Sequence, residues 1–178
     1  MSEPGPPGAP DAVPAEHKAQ APRSIGCFVL TISDSKTPGT DTSGALIREL
    51  LTKAGHTVAG HAIVRDEPSQ VAALIRERCV DPAVQAFILS GGTGVTSRDS
   101  TFGAVEALLD KRLTGFGELF RMLSYQQIGA AAMLSRAQAG VVTGRALFSL
   151  PGSPNACRLA LEKLILPELG HIIREINR

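Results

Sequence analysis

Tryptophan is absent from this 178-residue chain, and tyrosine occurs once, at Tyr125. So poor an aromatic set leaves little material for stacking platforms of the kind that bind single-stranded nucleic acid. An excess of one charge is also missing: 18 Lys and Arg stand against 17 Asp and Glu, a formal net charge of +1. No global field recruits nucleic acid or an anionic membrane, and neither is expected as a partner. Cys27, Cys79 and Cys157 lie far apart, and no CxxC or Cys/His ligand spacing occurs. That argues against a disulfide framework or structural zinc and fits three small buried hydrophobes in a reducing compartment. No apolar run approaches the roughly 20 residues that span a bilayer, and the N-terminus lacks the apolar core of a signal peptide. A cytoplasmic protein is expected.

What is present suits one domain with a sizeable core, since 43% of the residues are hydrophobic. Residues 1–23 are rich in Pro, Ala and Gly with no hydrophobic period, and are expected to form a disordered tail before a domain over 24–178. From Ile25 the pattern alternates. Ile25–Ser33 and Val84–Leu89 are nearly continuous apolar runs, as strands buried on both faces would be, and Thr57–Val64 reads as another strand. Between them, Leu46, Ile47, Leu50 and Leu51 lie on one face of a helix that Thr42 or Ser43 can cap and Gly55 can end. Pro68 starts a second helix carrying Val71, Leu74 and Ile75. Thr101–Leu109 reads as a short helix, residues 115–138 as one or two more, and Ala146–Leu150 as a strand. Ser153-Pro154 is an N-cap followed by a first-turn proline for a long C-terminal helix, which Pro167 should kink or split. Alternating strands and helices predict an α/β fold with a mainly parallel sheet.

In such sheets ligands bind at the carboxyl ends of the strands, and the polar and glycine-rich segments cluster there. The most unusual is LSGGTGVTSRDST, residues 89–101. It is not a P-loop, because no lysine follows the sixth position counted from Gly91. It is a poor dinucleotide fingerprint, because Ser97 occupies the third glycine position and the loop follows the third strand instead of the first. Successive glycines still permit positive φ and close approach of a ligand to the backbone, and consecutive N–H groups form an anion nest. Gly91, Gly92, Thr93 and Gly94 are therefore candidate phosphate ligands, the alternative being a structural turn. Asp99 or Ser100 would cap the next helix. A carboxylate beside a phosphate cradle makes sense if a cation lies between them, and Mg²⁺ is held by one or two carboxylates plus substrate phosphates. Asp66 in VRDEP and Ser33-Asp34 in TISDS lie at two other strand ends, although each acid could equally be an ordinary exposed residue. Pro151, Gly152, Ser153 and Asn155 repeat the strand–turn–helix construction, and Ser135-Arg136 brings a permanently charged guanidinium suited to phosphate, or simply a solvated one. His56, His61 and His171 show no ligand spacing and read as ordinary half-exposed residues. Arg98 is expected to face solvent.

Taken together, GGTG followed by Asp99, MLSRAQAG and LPGSPNA before a C-terminal helix resemble the MoaB/MogA family of molybdenum-cofactor biosynthesis proteins, whose domain also occurs in animal gephyrin. DTSG at 41–44 and GFGELFRMLSYQQIG at 115–129 look more like the MoaB branch. The resemblance implies a three-layer αβα molybdopterin-binding domain that forms trimers or hexamers. It implies adenylylation of molybdopterin with Mg-ATP, releasing pyrophosphate. Asp66 and Asp99 match the family's two acidic positions, and so would be catalytic and hold Mg²⁺. The GGTG loop would hold the nucleotide, and Ser135, Arg136 and residues 151–155 would lie on the pterin side. A MoeA-like metal-insertion protein would be a partner. A non-catalytic pterin carrier, or a nucleotide-binding protein for another ligand, would also carry these residues.

Overall fold

The computed structural model describes residues 22–95 and 101–178. Residues 1–21 of the expected tail, and Ser97, Arg98, Asp99 and Ser100, lie outside the described residues. One six-stranded sheet organises the chain. Its strands are β1 (Gly26–Ile32), β2 (Thr57–Val64), β3 (Ala86–Gly91), β4 (Lys111–Arg112), β5 (Gln138–Val142) and β6 (Arg145–Leu150), in the order β2-β1-β3-β6-β5-β4. The first four strands in that order run parallel, while β5 and β4 are added antiparallel. The chain moves from β1 outward to β2 and returns to the other side of β1 with β3. That reversal is a topological switch point, the crevice where open α/β sheets bind ligands.

Helices cover both faces. On one face Val29, Ile88 and Phe148 pack with Ile47 and Leu51 of α1 (Thr42–Lys53), Phe116 and Phe120 of α4 (Thr114–Ile128), and Leu169 and Ile173 of α6 (Leu166–Ile176). On the other, Phe28, Leu30, Phe87 and Leu89 pack with Val71 and Ile75 of α2 (Pro68–Arg78) and Val105 of α3 (Thr101–Leu108). Adjacent strand residues alternate between these two cores, which is why the central strands are apolar at nearly every position. The three-layer αβα expectation is met, and the three cysteines are buried and unpaired.

Several local details depart from or refine these expectations. Neither Thr42 nor Ser43 caps α1: Asp41 does, accepting from Gly44 N, because a carboxylate one residue earlier reaches the same orphan donor. The helical segment that follows residue 115 ends early. After α4 comes a 3₁₀ turn over Gly129–Leu134, and by Gln138 the chain is already in β5. The β5–β6 hairpin was not foreseen. Its Thr143-Gly144 turn has φ of 46° and 73°, the positive pair of a type I′ turn. The expected interruption of the C-terminal helix near Pro167 takes the form of a π turn. α5 (Pro154–Ala160) runs through a π turn (Leu161–Ile165) into α6, with Leu166 N donating to Leu161 O. The widened turn absorbs the missing proline N–H.

Candidate functional site

The carboxyl ends of β1, β2, β3 and β6 bring the predicted loops together. At the end of β3, Gly91 and Gly92 have φ of 96° and 65°. A Cβ on Gly91 would stand 2.2 Å from the Ile32 carbonyl oxygen, so only glycine lets β3 leave the sheet beside β1. Across the crevice, a Cβ on Gly152 would lie 3.3 Å from Gly91 Cα. The two glycine turns are therefore in backbone contact.

Each turn is fixed from behind. Ser43 Oγ donates to Gly152 O at 2.7 Å, Cys157 Sγ to Pro151 O at 3.4 Å, and Ala156 N to the Ser153 Oγ cap at 3.3 Å. Arg136 is no free surface cation. Its Nε donates to Thr93 O at 3.0 Å, its Nη2 to Gly94 O, and its guanidinium lies 4.5 Å from the Phe102 ring centroid. It clamps the carbonyls of the glycine loop and brings positive charge to the rim. Ser135 ends the 3₁₀ turn next to it, half-buried. Asn155 is exposed and lines a cleft of about 280 Å³ with Gln127, Arg158 and Glu162, and no hydrogen bond joins it to the glycine loop among the described residues.

The acids divide by what they touch. Asp34 Oδ1 accepts from Asp66 N at 3.3 Å and lies 3.5 Å from Arg65 Nε, so it ties the ends of β1 and β2 together. Ser33 holds a turn, with its Oγ accepting from the N–H groups of Ser35 and Lys36. Asp66 is half-buried, and its Oδ1 accepts from Thr101 Oγ1. No hydrogen bond reaches its Oδ2 among the described residues. Thr101 is 1% exposed, and its Cβ and Cγ2 would stand 3.2 and 3.3 Å from a Cβ on Gly92. Asp66, Thr101 and the glycine loop thus form one cluster. Asp99 lies outside the described residues.

A second carboxylate escaped sequence reasoning. Asp41 is 2% exposed beneath the crevice. It accepts from Thr31 Oγ1 at 2.7 Å and Gly44 N at 2.9 Å, and His61 Nε2 stands 3.1 Å from its Oδ2. A Cβ on Gly44 would fall 2.1 Å from Asp41 Oδ2, so the glycine of DTSG makes room for this network. His61, read above as an ordinary half-exposed residue, is bound into it. The signals in the sequence were the acid before a helical pattern and the DTSG motif that it opens.

No group of three or more His, Cys, Asp or Glu side chains able to cage a metal occurs among the described residues. Hard oxygen donors on one or two carboxylates beside a phosphate nest suit Mg²⁺ carried in with a polyphosphate, since that ion keeps several waters and shares its shell with substrate.

Known proteins resemble this chain over most of its length. The family described as probable molybdopterin binding domain matches residues 28–171. The molybdenum cofactor biosynthesis protein B of Halalkalibacterium halodurans is 51% identical over 162 residues, which cover 90% of this chain and 95% of that protein. A crystal structure of a molybdenum cofactor biosynthesis protein B superposes with a TM-score of 0.86 at 50% identity, covering 89% of this chain and 99% of the other. The tungsten cofactor synthesizing protein MoaB of Pyrococcus furiosus does so with a TM-score of 0.80 at 38% identity, over 89% and 100%.

Proposed function

This chain belongs to the molybdopterin-binding family of molybdenum cofactor biosynthesis proteins, and we propose that it adenylylates molybdopterin with Mg-ATP, giving adenylyl-molybdopterin and pyrophosphate. The observation that carries the reading is the meeting of two glycine turns at the switch point, beside a half-exposed carboxylate with one oxygen unengaged among the described residues.

The chemistry asks little more of the protein. A terminal phosphate oxygen of molybdopterin attacks the α-phosphorus of ATP. A P–O bond forms there, the bond to the bridging oxygen breaks, and pyrophosphate leaves with the electron pair. The nucleophile is already an anion, so no general base is required. Catalysis is positioning and charge neutralisation. The backbone of Gly91–Gly94 cradles the nucleotide phosphates. Arg136 holds that loop and adds positive charge, with Ser135 beside it on the pterin side together with Pro151, Gly152, Ser153 and Asn155. Asp66 and Asp99 are the carboxylates that would hold Mg²⁺. When bound, the ion neutralises charge on the polyphosphate. Ser33 and Asp34 support the nucleotide side by fixing the ends of β1 and β2.

The active form is a homo-oligomer, a trimer or hexamer. Leu119, Met122, Tyr125 and Ile128 recur every three residues along α4 and are 47–64% exposed, a row that winds halfway around the helix and offers apolar surface for a second copy to cover. Light scattering of the purified protein tests this assembly. No helix among the described residues is long and apolar enough to cross a membrane. We place the protein in the cytoplasm, handing its product to a MoeA-like metal-insertion protein.

The direct test incubates protein, molybdopterin and Mg-ATP and follows the AMP adduct and pyrophosphate by mass spectrometry. Both products should form, and Asp66→Asn should suppress them. Pterin binding without turnover would replace the enzyme with a carrier.

A further inference from the structure

Thr101 lies 35 residues from Asp66 in sequence, yet its hydroxyl donates to Asp66 Oδ1. Its side chain is almost wholly buried, and the same side chain walls the space above Gly92. A hydroxyl this buried seldom goes unpaired, and the acceptor it has found is a candidate catalytic carboxylate. The bond engages one oxygen of that carboxylate and leaves the other without a hydrogen bond among the described residues. The Cβ and methyl of Thr101 meanwhile stand where a Cβ on Gly92 would meet them at 3.2 and 3.3 Å.

Resting on the adenylylation reading above, we infer that Thr101 is a positioning residue, which acts through Asp66 and Gly92 to set the carboxylate and the nucleotide cradle in one register. Hydrogen bonds that end on a charged group are among the stronger ones. Threonine is also the smallest side chain that both donates to the carboxylate and packs a methyl against the loop. Serine keeps the donor and loses part of the wall; valine keeps the wall and loses the donor.

That division supplies the test. Binding of a non-hydrolysable ATP analogue with Mg²⁺ is measured by calorimetry on the full-length protein and its variants, beside turnover of molybdopterin. Thr101→Val should weaken Mg²⁺-dependent analogue binding and lower kcat by about tenfold to a hundredfold, the range for losing a hydrogen bond to a charged group. It should leave pterin affinity unchanged. Thr101→Ser should recover most of both losses. Thr101→Ala serves if the valine variant fails to fold, and should show the same deficits. Valine or alanine variants that bind and turn over like wild type, while Asp66→Asn is inactive, would overturn the positioning role alone. An Asp66→Asn variant as active as wild type would instead overturn the role of Asp66, and with it the reading on which this inference rests.

Discussion

Asp41 and Asp66 are both aspartates near strand ends, and each accepts a hydrogen bond from a threonine hydroxyl, yet their surroundings are opposite. Asp41 is sealed in, with Thr31, Gly44 N and His61 satisfying both its oxygens. Asp66 is half-buried, with Thr101 on one oxygen and the other open among the described residues. A buried carboxylate is tolerated only when its lone pairs are spent. Asp41 therefore belongs to the fold: it starts α1, whose Ser43 then holds Gly152. Asp66 retains acceptor capacity at the crevice, which is what its proposed role toward magnesium needs. Side-chain type does not separate structure from the proposed chemistry here, but the number of acceptor lone pairs left unused among the described residues does.

The sharpest way to break this comparison is to delete each carboxylate in turn. Asp41→Ala leaves Thr31 Oγ1, Gly44 N and His61 without an acceptor. It should cost about 3–5 kcal/mol of stability by urea unfolding, the range for removing one partner of a buried pair. Asp66→Ala strands only the buried Thr101 hydroxyl, so it should cost less, about 1–3 kcal/mol, and lower adenylylation by about a hundredfold or more. If Asp66→Ala unfolds the protein, or Asp41→Ala melts with wild type, the division is wrong.

The next contrast lies between the two glycine turns. Gly91→Ala meets both a φ of 96° and the Ile32 carbonyl, so backbone strain of about 1–3 kcal/mol should appear as lost stability. Gly152 has no positive φ, and its added Cβ would sit 3.3 Å from Gly91 Cα. Gly152→Ala should fold with near-native stability and raise the KM for substrate several-fold by pushing the turns apart. Unfolding and steady-state kinetics on the same samples separate the two results.

Much of this architecture was legible in the sequence because it depends on local pattern. Strands β1 and β3 announce themselves as apolar runs, and LSGGTG is too rich in glycine to be a plain connector. What was hidden depends on contacts between distant residues. Thr42, Ser43 and Asp41 are all competent N-caps, and only the buried Thr31 and the partly exposed His61 decide for Asp41. The β5–β6 hairpin turns at Thr143-Gly144, where a β-branched residue at positive φ lacks the usual Asn-Gly or Asp-Gly signature. Its turn is held by Thr143 N donating to Asp110 Oδ2 at 2.6 Å, 33 residues away. The Thr101–Asp66 contact is equally non-local. Arg136 read as a phosphate ligand because its charge is visible in the sequence, whereas its hold on the Thr93 and Gly94 carbonyls is not.

The smallest expected effect at neutral pH concerns Cys157, which borders the Asp41 network. Burial pushes its thiol up to about 12; Ser43 opposes the shift and the Asp41 charge adds to it. Burial likewise pushes Cys27 to about 12. Well below about pH 8 both thiols are protonated in the folded and unfolded chains, so they contribute no pH dependence. Above about pH 8 the unfolded chain releases these protons first, and stability must fall. At pH 10 the loss should be about 1.5–2 kcal/mol per thiol. Urea unfolding between pH 8 and 10.5 should show a shallower decline for Cys157→Ala than for wild type. A thiol reagent at pH 8 should label Cys157 only slowly in the native protein. Asp41→Ala should speed that labelling, because it removes the charge beside the thiol and loosens the start of α1. Rapid labelling of native wild type would mean that the packing around Asp41 opens far more readily than its saturated hydrogen bonds imply.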